Sequence, residues 1–62
     1  MNSKFREALL ALEPDDFIRY LLVMESEAGK EVFYRRRDKI TTPEQVLSAI
    51  RAAEKSAAMD YE

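Results

Sequence analysis

The side chains best suited to chemistry in this sequence are consecutive arginines. Arg35, Arg36 and Arg37 lie in residues 30–39, a stretch with five basic and two acidic side chains. The residues before it carry three basic and six acidic side chains, and those after it carry two and four. A basic segment between acidic flanks can contact one anionic group or pair with acidic helices. A net charge of -2 opposes broad, nonspecific binding of nucleic acid.

Residues for the usual catalytic and metal sites are missing. The chain has no histidine and no cysteine, so a serine nucleophile lacks its usual base and zinc lacks its preferred ligands. A single glycine gives no phosphate-cradling loop. The acidic pairs, Asp15 with Asp16 and Glu25 with Glu27, lack calcium-loop spacing. We therefore expect no enzyme, no catalytic residue, no metal and no cofactor.

The best strand candidate runs from Glu31 to Arg36. Its centre, Val32-Phe33-Tyr34, is β-branched and aromatic, and the chain's glycine precedes it. Alternation in a strand places Val32 and Tyr34 inward and leaves Phe33 partly exposed. Because a strand needs a partner, we expect it to pair antiparallel with the same strand of a second copy.

Helices are predicted before this strand. Ser3 can cap a short helix that ends near Leu12, and Pro14 suits the first position of a second helix. Residues 17–25 fit a helix that ends at Gly29 as its C′ residue, with Ile18 and Leu22 as a second apolar row. The alternative is that these residues form a strand of a hairpin with the segment that follows.

A C-terminal helix has the clearest start. Thr42 is a predicted N-cap, Pro43 a first helical residue, and Gln45 the partner in a capping box. Good helix formers continue to about Ala58, and we expect residues 59–62 to fray.

Together these elements predict one α+β domain over residues 1–62, a helix-strand-helix fold. A chain of this length without cysteine builds a marginal core, so self-association as an intertwined homodimer is expected. The predicted core and dimer residues are Phe17, Leu21, Met24, Val32, Phe33, Tyr34, Val46, Leu47, Ile50 and Ala53.

The location and partners of the chain follow from its apolar pattern. No apolar run approaches the length of a membrane span, which indicates a cytoplasmic protein without a membrane partner. Apolar helix faces exceed what so small a fold can cover, so a groove could accept an amphipathic helix of another protein. The alternative function is a small DNA-binding regulator whose arginines form a β-ribbon reader, with nucleic acid as the partner.

The whole chain also resembles a known group of proteins. Three segments carry the likeness: Glu-Pro-Asp-Asp-Phe-Ile-Arg-Tyr at 13–20, Gly-Lys-Glu-Val-Phe-Tyr-Arg-Arg-Arg-Asp-Lys at 29–39 and Thr-Thr-Pro-Glu-Gln-Val-Leu at 41–47. They resemble small early proteins of lambdoid phages that are encoded between the exonuclease and excisionase genes. The resemblance implies a non-enzymatic early regulatory protein that promotes lytic development in the cytoplasm of a bacterial host. It also implies a dimer of helices and a strand.

Overall fold

The fold was obtained as a computed structural model, which describes residues 3–60 except for the side chain of Asp60. Within this range all regular structure is helical: α1 is Ser3–Leu10, α2 is Pro14–Val23, α3 is Glu27–Arg36 and α4 is Pro43–Asp60, with a 3₁₀ turn at Arg37–Lys39. Residues 3–60 contain no strand. The predicted α+β fold class and the strand paired across a two-fold axis are therefore wrong.

Helix α3 occupies the segment that was predicted to be a strand. Ser26 has extended backbone angles, and its hydroxyl accepts a hydrogen bond from the N–H of Gly29 at 3.3 Å, as an N-cap does. Arg35 and Arg36 lie in the last turn, where positive charge is favourable against the helix dipole. The preference of Val32-Phe33-Tyr34 for strands is outweighed by this capping and by the packing of the helix.

The helical periodicity reverses the predicted exposure of this segment. Phe33 is almost completely buried, Val32 is half-buried, and Tyr34 is 60% exposed. Phe33 points into the core, Val32 packs at its edge and Tyr34 points away, because successive residues of a helix point about 100° apart rather than to two alternating faces. The prediction that Val32 and Tyr34 point inward together is wrong.

Helix α4 is the element on which the others pack. It contacts α1, α2 and α3, and most extensively α3. It also supplies half of the buried hydrophobic residues of the described chain. The full set is Ala8, Val23, Phe33, Ile40, Val46, Ala49, Ile50 and Ala53, and the last four belong to α4. Its buried alanines let the neighbouring helices approach closely.

Three aromatic rings join the first three helices. The ring of Tyr20 in α2 meets the ring of Phe33 edge to face, with 5.0 Å between the centroids. Phe5 in α1 lies 6.3 Å from Phe33 and 6.5 Å from Tyr20. These distances are within the range of favourable aromatic pairs, so the cluster fixes which faces of α1 and α2 turn inward.

The helix prediction for residues 17–25 is confirmed as far as Val23, and the hairpin alternative is wrong. The predicted end of α2 is wrong, however, because the helix stops at Val23 and Gly29 lies inside α3 rather than at a C′ position. The Ser26 cap starts a new helix where one longer helix was expected. The predicted start at Pro14 is confirmed.

The predicted capping box of α4 is also confirmed. The Thr42 hydroxyl accepts from the Gln45 N–H at 3.3 Å, and the Thr42 N–H donates to the Gln45 side-chain oxygen at 3.0 Å. The helix includes Met59 and Asp60, for which fraying was expected. The same expectation for residues 61 and 62 lies outside the described residues.

No helix among residues 3–60 is both long enough and apolar enough to cross a bilayer.

Gly29 has a steric role that gives a testable prediction. A Cβ added to it would overlap the backbone carbonyl oxygen of Val23 and lie 3.3 Å from the Val23 Cβ. In an open helix, Gly→Ala is stabilising by about 1 kcal/mol. Here we expect Gly29→Ala to lower the free energy of unfolding by about 1–3 kcal/mol, the usual cost of overpacking, measured by urea denaturation at fixed protein concentration.

The neighbouring reverse substitution is the matched control. Ala28→Gly should be destabilising by about 1 kcal/mol from helix propensity alone. Gly29→Ala and Ala28→Gly are opposite substitutions, yet each is expected to lower the stability. Stabilisation by Gly29→Ala would show that α3 does not pack against the end of α2 in this way.

Candidate interaction surface

Helix α2 carries apolar residues on the side that faces away from the core. Tyr20 and Val23 point inward, whereas Ile18, Leu21 and Leu22 are 54%, 50% and 59% exposed. The three exposed residues are spaced at i, i+3 and i+4, so they form one continuous stripe along the helix. On a folded domain, an exposed apolar stripe of this kind marks a site where another molecule binds.

The stripe continues onto the end of α1 and the loop that follows. Leu10 is 71% exposed. Next to it is a shallow groove of about 390 Å³, lined by Leu9, Leu10, Leu12, Pro14, Phe17 and Ile18. We call the apolar area formed by Leu10, Leu12, Phe17, Ile18, Leu21 and Leu22 the α2 surface.

Apolar residues on both sides of α2 distinguish it from a simple amphipathic helix. One side packs on α4 and on the aromatic cluster, and the other forms the α2 surface. A surface helix normally has polar residues on the face opposite its buried side. The protein therefore has an apolar helix face that its own described residues leave uncovered.

An ion pair fixes the orientation of α2 on α4. The guanidinium of Arg19 binds both carboxylate oxygens of Glu54, with Nη2–Oε1 at 2.7 Å and Nε–Oε2 at 3.1 Å. It also donates to Asp16 at 3.2 Å. The hydrogen bond from Arg19 lowers the pKa of Glu54, and the bond to Glu54 raises the pKa of Arg19. This bidentate contact joins α2 to α4 in the orientation that turns the α2 surface outward.

The predicted core and dimer residues are distributed over both sides of the fold. Phe33, Val46, Ile50 and Ala53 are buried. Met24, Val32 and Leu47 are half-buried against them. Leu21 is on the α2 surface with half-buried Phe17, and Tyr34 is exposed elsewhere.

Sequence reasoning did not place Leu10, Ile18 or Leu22 among the site residues. The signal that could have found Ile18 and Leu22 was the second apolar row of the helix over residues 17–25. That row exceeds what one buried face needs. For Leu10 no local signal distinguishes an exposed leucine from a buried one.

The three exposed arginines have different local settings. Arg35 is bound to Glu31 one turn earlier in α3, Arg36 ends the helix, and Arg37 begins the 3₁₀ turn. The predicted arrangement with arginines two residues apart along a β-ribbon is wrong, because the segment is helical. The basic end of α3 is instead stabilised by the dipole of the helix.

The acidic residues of the described part of the chain do not cluster. Residues 3–60 contain no group of three or more histidine, cysteine, aspartate or glutamate side chains that could hold a metal ion.

Comparisons with models of protein families, with curated proteins and with solved structures found no match to this chain. No family is therefore assigned to it, and the α2 surface is interpreted from its own geometry.

The Arg19–Glu54 pair predicts a pH-dependent contribution to stability. Because folding lowers the pKa of Glu54, the contribution is present above the ordinary glutamate value of 4.5 and is lost as the pH falls through the lowered value. Both side chains are about 40% exposed, so we expect Glu54→Gln to reduce the free energy of unfolding at pH 7 by no more than about 1 kcal/mol. Urea denaturation at pH 7 and pH 3 should show this difference shrinking at the lower pH.

Glu7→Gln is the matched control, since Glu7 is exposed and forms no ion pair with any residue of 3–60. It should have little effect at either pH. A Glu54→Gln effect that is equally large at pH 3 would mean that the ion pair is not its source.

Proposed function

We propose that this chain is a non-enzymatic protein–protein interaction module that works as a homodimer, with the α2 surface as the contact between the two copies. The observation that carries the proposal is the exposure of Ile18, Leu21, Leu22 and Leu10 on a helix whose opposite side is already buried. Burial of such a surface is the main favourable term in the association of proteins.

The size of the α2 surface supports a second copy as its occupant. Its four most exposed side chains offer on the order of 100 Å² of apolar area each, or roughly 800 Å² for two copies. Specific interfaces bury about 1,200–2,000 Å², of which about 60% is apolar, so about 700–1,200 Å² is required. Two α2 surfaces therefore reach the lower end of what a stable dimer needs.

The shape of the surface supports the same occupant. Leu21 and Leu22 project from the C-terminal half of α2, and the groove beside Ile18 and Leu10 lies at its N-terminal half. A two-fold axis between Ile18 and Leu21 makes two α2 helices antiparallel. It then brings the leucines of each copy onto the groove of the other. A symmetric interface uses the same face of both copies, so the projecting leucines and the groove that receives them must both lie on that face.

A dimer also relieves the weakness of the monomer core. Three of the eight buried hydrophobic residues in the described part of the chain are alanines. Domains of this length are marginal because they bury a small fraction of their surface. Oligomerisation is one of the ways in which such domains gain stability.

The wider role in this proposal comes from the resemblance to early proteins of lambdoid phages. It is that of a regulatory adaptor in the bacterial cytoplasm that favours lytic development by binding a host or phage protein. The likeness of the three quoted segments supports this role. The fold supports only the part that concerns association.

Charged substitutions in the α2 surface test the dimer. We expect the double variant Ile18→Glu, Leu21→Glu to remain helical and to become monomeric, because both side chains are at least half exposed in the single chain. Sedimentation equilibrium should give twice the chain mass for the wild type at micromolar concentration and the single chain mass for the variant. Circular dichroism checks that the fold is kept.

Tyr34→Glu, Met59→Glu is the matched control, since it adds the same charge at exposed apolar positions outside the α2 surface. It should stay dimeric. Each copy has a net charge of -2, so added salt should strengthen the dimer by screening the repulsion between the copies. A monomeric wild type, or a dimer unaffected by the Ile18 and Leu21 changes, would contradict the proposal.

Affinity capture tests the adaptor role separately. The tagged wild type and the monomeric double variant are each incubated with bacterial lysate, with and without nuclease. A protein that binds the dimer directly should still be captured after nuclease treatment. The same protein, once purified, should bind the purified dimer. Capture that depends on nucleic acid would argue for a nucleic-acid-binding regulator instead.

A further inference from the structure

A second groove lies at the C-terminal end of α3, beside the start of α4. Its volume is about 320 Å³, and it is lined by Arg36, Lys39, Ile40, Gln45 and Ser48. None of these residues belongs to the α2 surface. The groove is therefore separate from the proposed dimer contact.

The charged residues that line this groove are both cations. Arg36 and Lys39 are exposed, and neither forms an ion pair with another residue of 3–60. Other basic residues nearby are already engaged, because Arg35 binds Glu31 and Lys30 binds Glu27. The groove thus holds two positive charges without a carboxylate in its lining.

The neutral polar residues of the groove add donors. The side-chain oxygen of Gln45 accepts from the N–H groups of Thr41 and Thr42, at 2.6 and 3.0 Å, and from the Thr41 hydroxyl at 3.1 Å. These bonds occupy the oxygen and leave the Nε2 amide to donate. The Ser48 hydroxyl makes no hydrogen bond with another side chain or backbone group of the described residues, so it is also available.

We propose that this groove binds a single phosphate group in its doubly charged form. Arg36 and Lys39 match its two negative charges, and Nε2 of Gln45 and the Ser48 hydroxyl donate to its remaining oxygens. Charge-assisted hydrogen bonds of this kind are the strongest that proteins make to anions. A guanidinium and an ammonium are each common ligands of phosphate in proteins.

The surroundings of the groove favour one phosphate group over a nucleic-acid backbone. Asp38 and Glu44 are exposed and are direct sequence neighbours of Lys39 and Gln45. An extended polyanion covers more of this surface than one phosphate group does, so it is repelled more strongly by these carboxylates. A single phosphate group is the smaller anion and has the lower cost.

An NMR titration tests the proposal. Inorganic phosphate is added to the ¹⁵N-labelled full chain at constant ionic strength, with sodium chloride as the compensating salt. We expect saturable shifts confined to the backbone amides of residues 36–48, the Nε2 group of Gln45 and the guanidinium of Arg36. Because inorganic phosphate loses its second proton only near neutral pH, the affinity should be higher at pH 8 than at pH 5.5, whereas sulfate should show no such change.

Two variants with equal loss of charge locate the site. Arg36→Gln, Lys39→Gln should weaken phosphate binding by about tenfold or more, since it removes both charged donors. Arg6→Gln, Lys55→Gln removes the same charge from exposed positions outside the groove and should leave binding unchanged. Equal loss of binding in the two variants would overturn the proposal, because the anion would then respond only to net charge.

Different phosphate compounds identify the source of the group. Phosphoserine binding more tightly than inorganic phosphate assigns the groove to a phosphorylated protein, and adenosine monophosphate binding more tightly assigns it to a nucleotide. Both results retain the site. Shifts no larger than those caused by sodium chloride would overturn it. So would tighter binding of a single-stranded oligonucleotide with shifts that spread to Arg35 and Arg37, since a polyanion surface would then replace the single site.

Discussion

The structure depends most on the burial of one aromatic residue, Phe33. It is almost completely buried together with Val46 and Ile50, and its ring meets the ring of Tyr20. Burial of a phenylalanine contributes about 1.5–3 kcal/mol, a large part of the stability of so small a domain. Because Tyr20 turns toward Phe33, the opposite side of α2 must face outward. The packing of the core therefore determines which apolar residues remain exposed.

Local signals in the sequence predicted some helices well and one element incorrectly. Thr42 with Gln45 and the proline at the start of α2 act within one turn, so they could be interpreted without knowledge of the fold. The strand prediction at Val32-Phe33-Tyr34 failed because residue type was taken as decisive. The contacts of Phe33 with α4 are distant in sequence, and no local pattern shows them. The cap by Ser26 and the basic last turn with Arg35 and Arg36 were the local signs of a helix there.

The interaction surface was harder to predict than the helices for a related reason. The sequence shows that α2 has apolar residues on more than one side, but it does not show which side is buried. That choice is made by Tyr20, through its ring contacts with α1 and α3, and by Arg19, through its contact with Glu54 in α4. Only the folded arrangement separates Leu21 and Leu22 on the outside from Val23 in the core.

The proposed contact of two copies through their α2 surfaces is tested most directly by NMR on a mixture of ¹³C-labelled and unlabelled chains. An isotope-filtered experiment detects only contacts between different copies. In the proposed dimer, signals should connect the methyl groups of Ile18 in one copy with those of Leu21 and Leu22 in the other. Absence of intermolecular signals, or signals only from residues outside the α2 surface, would contradict it.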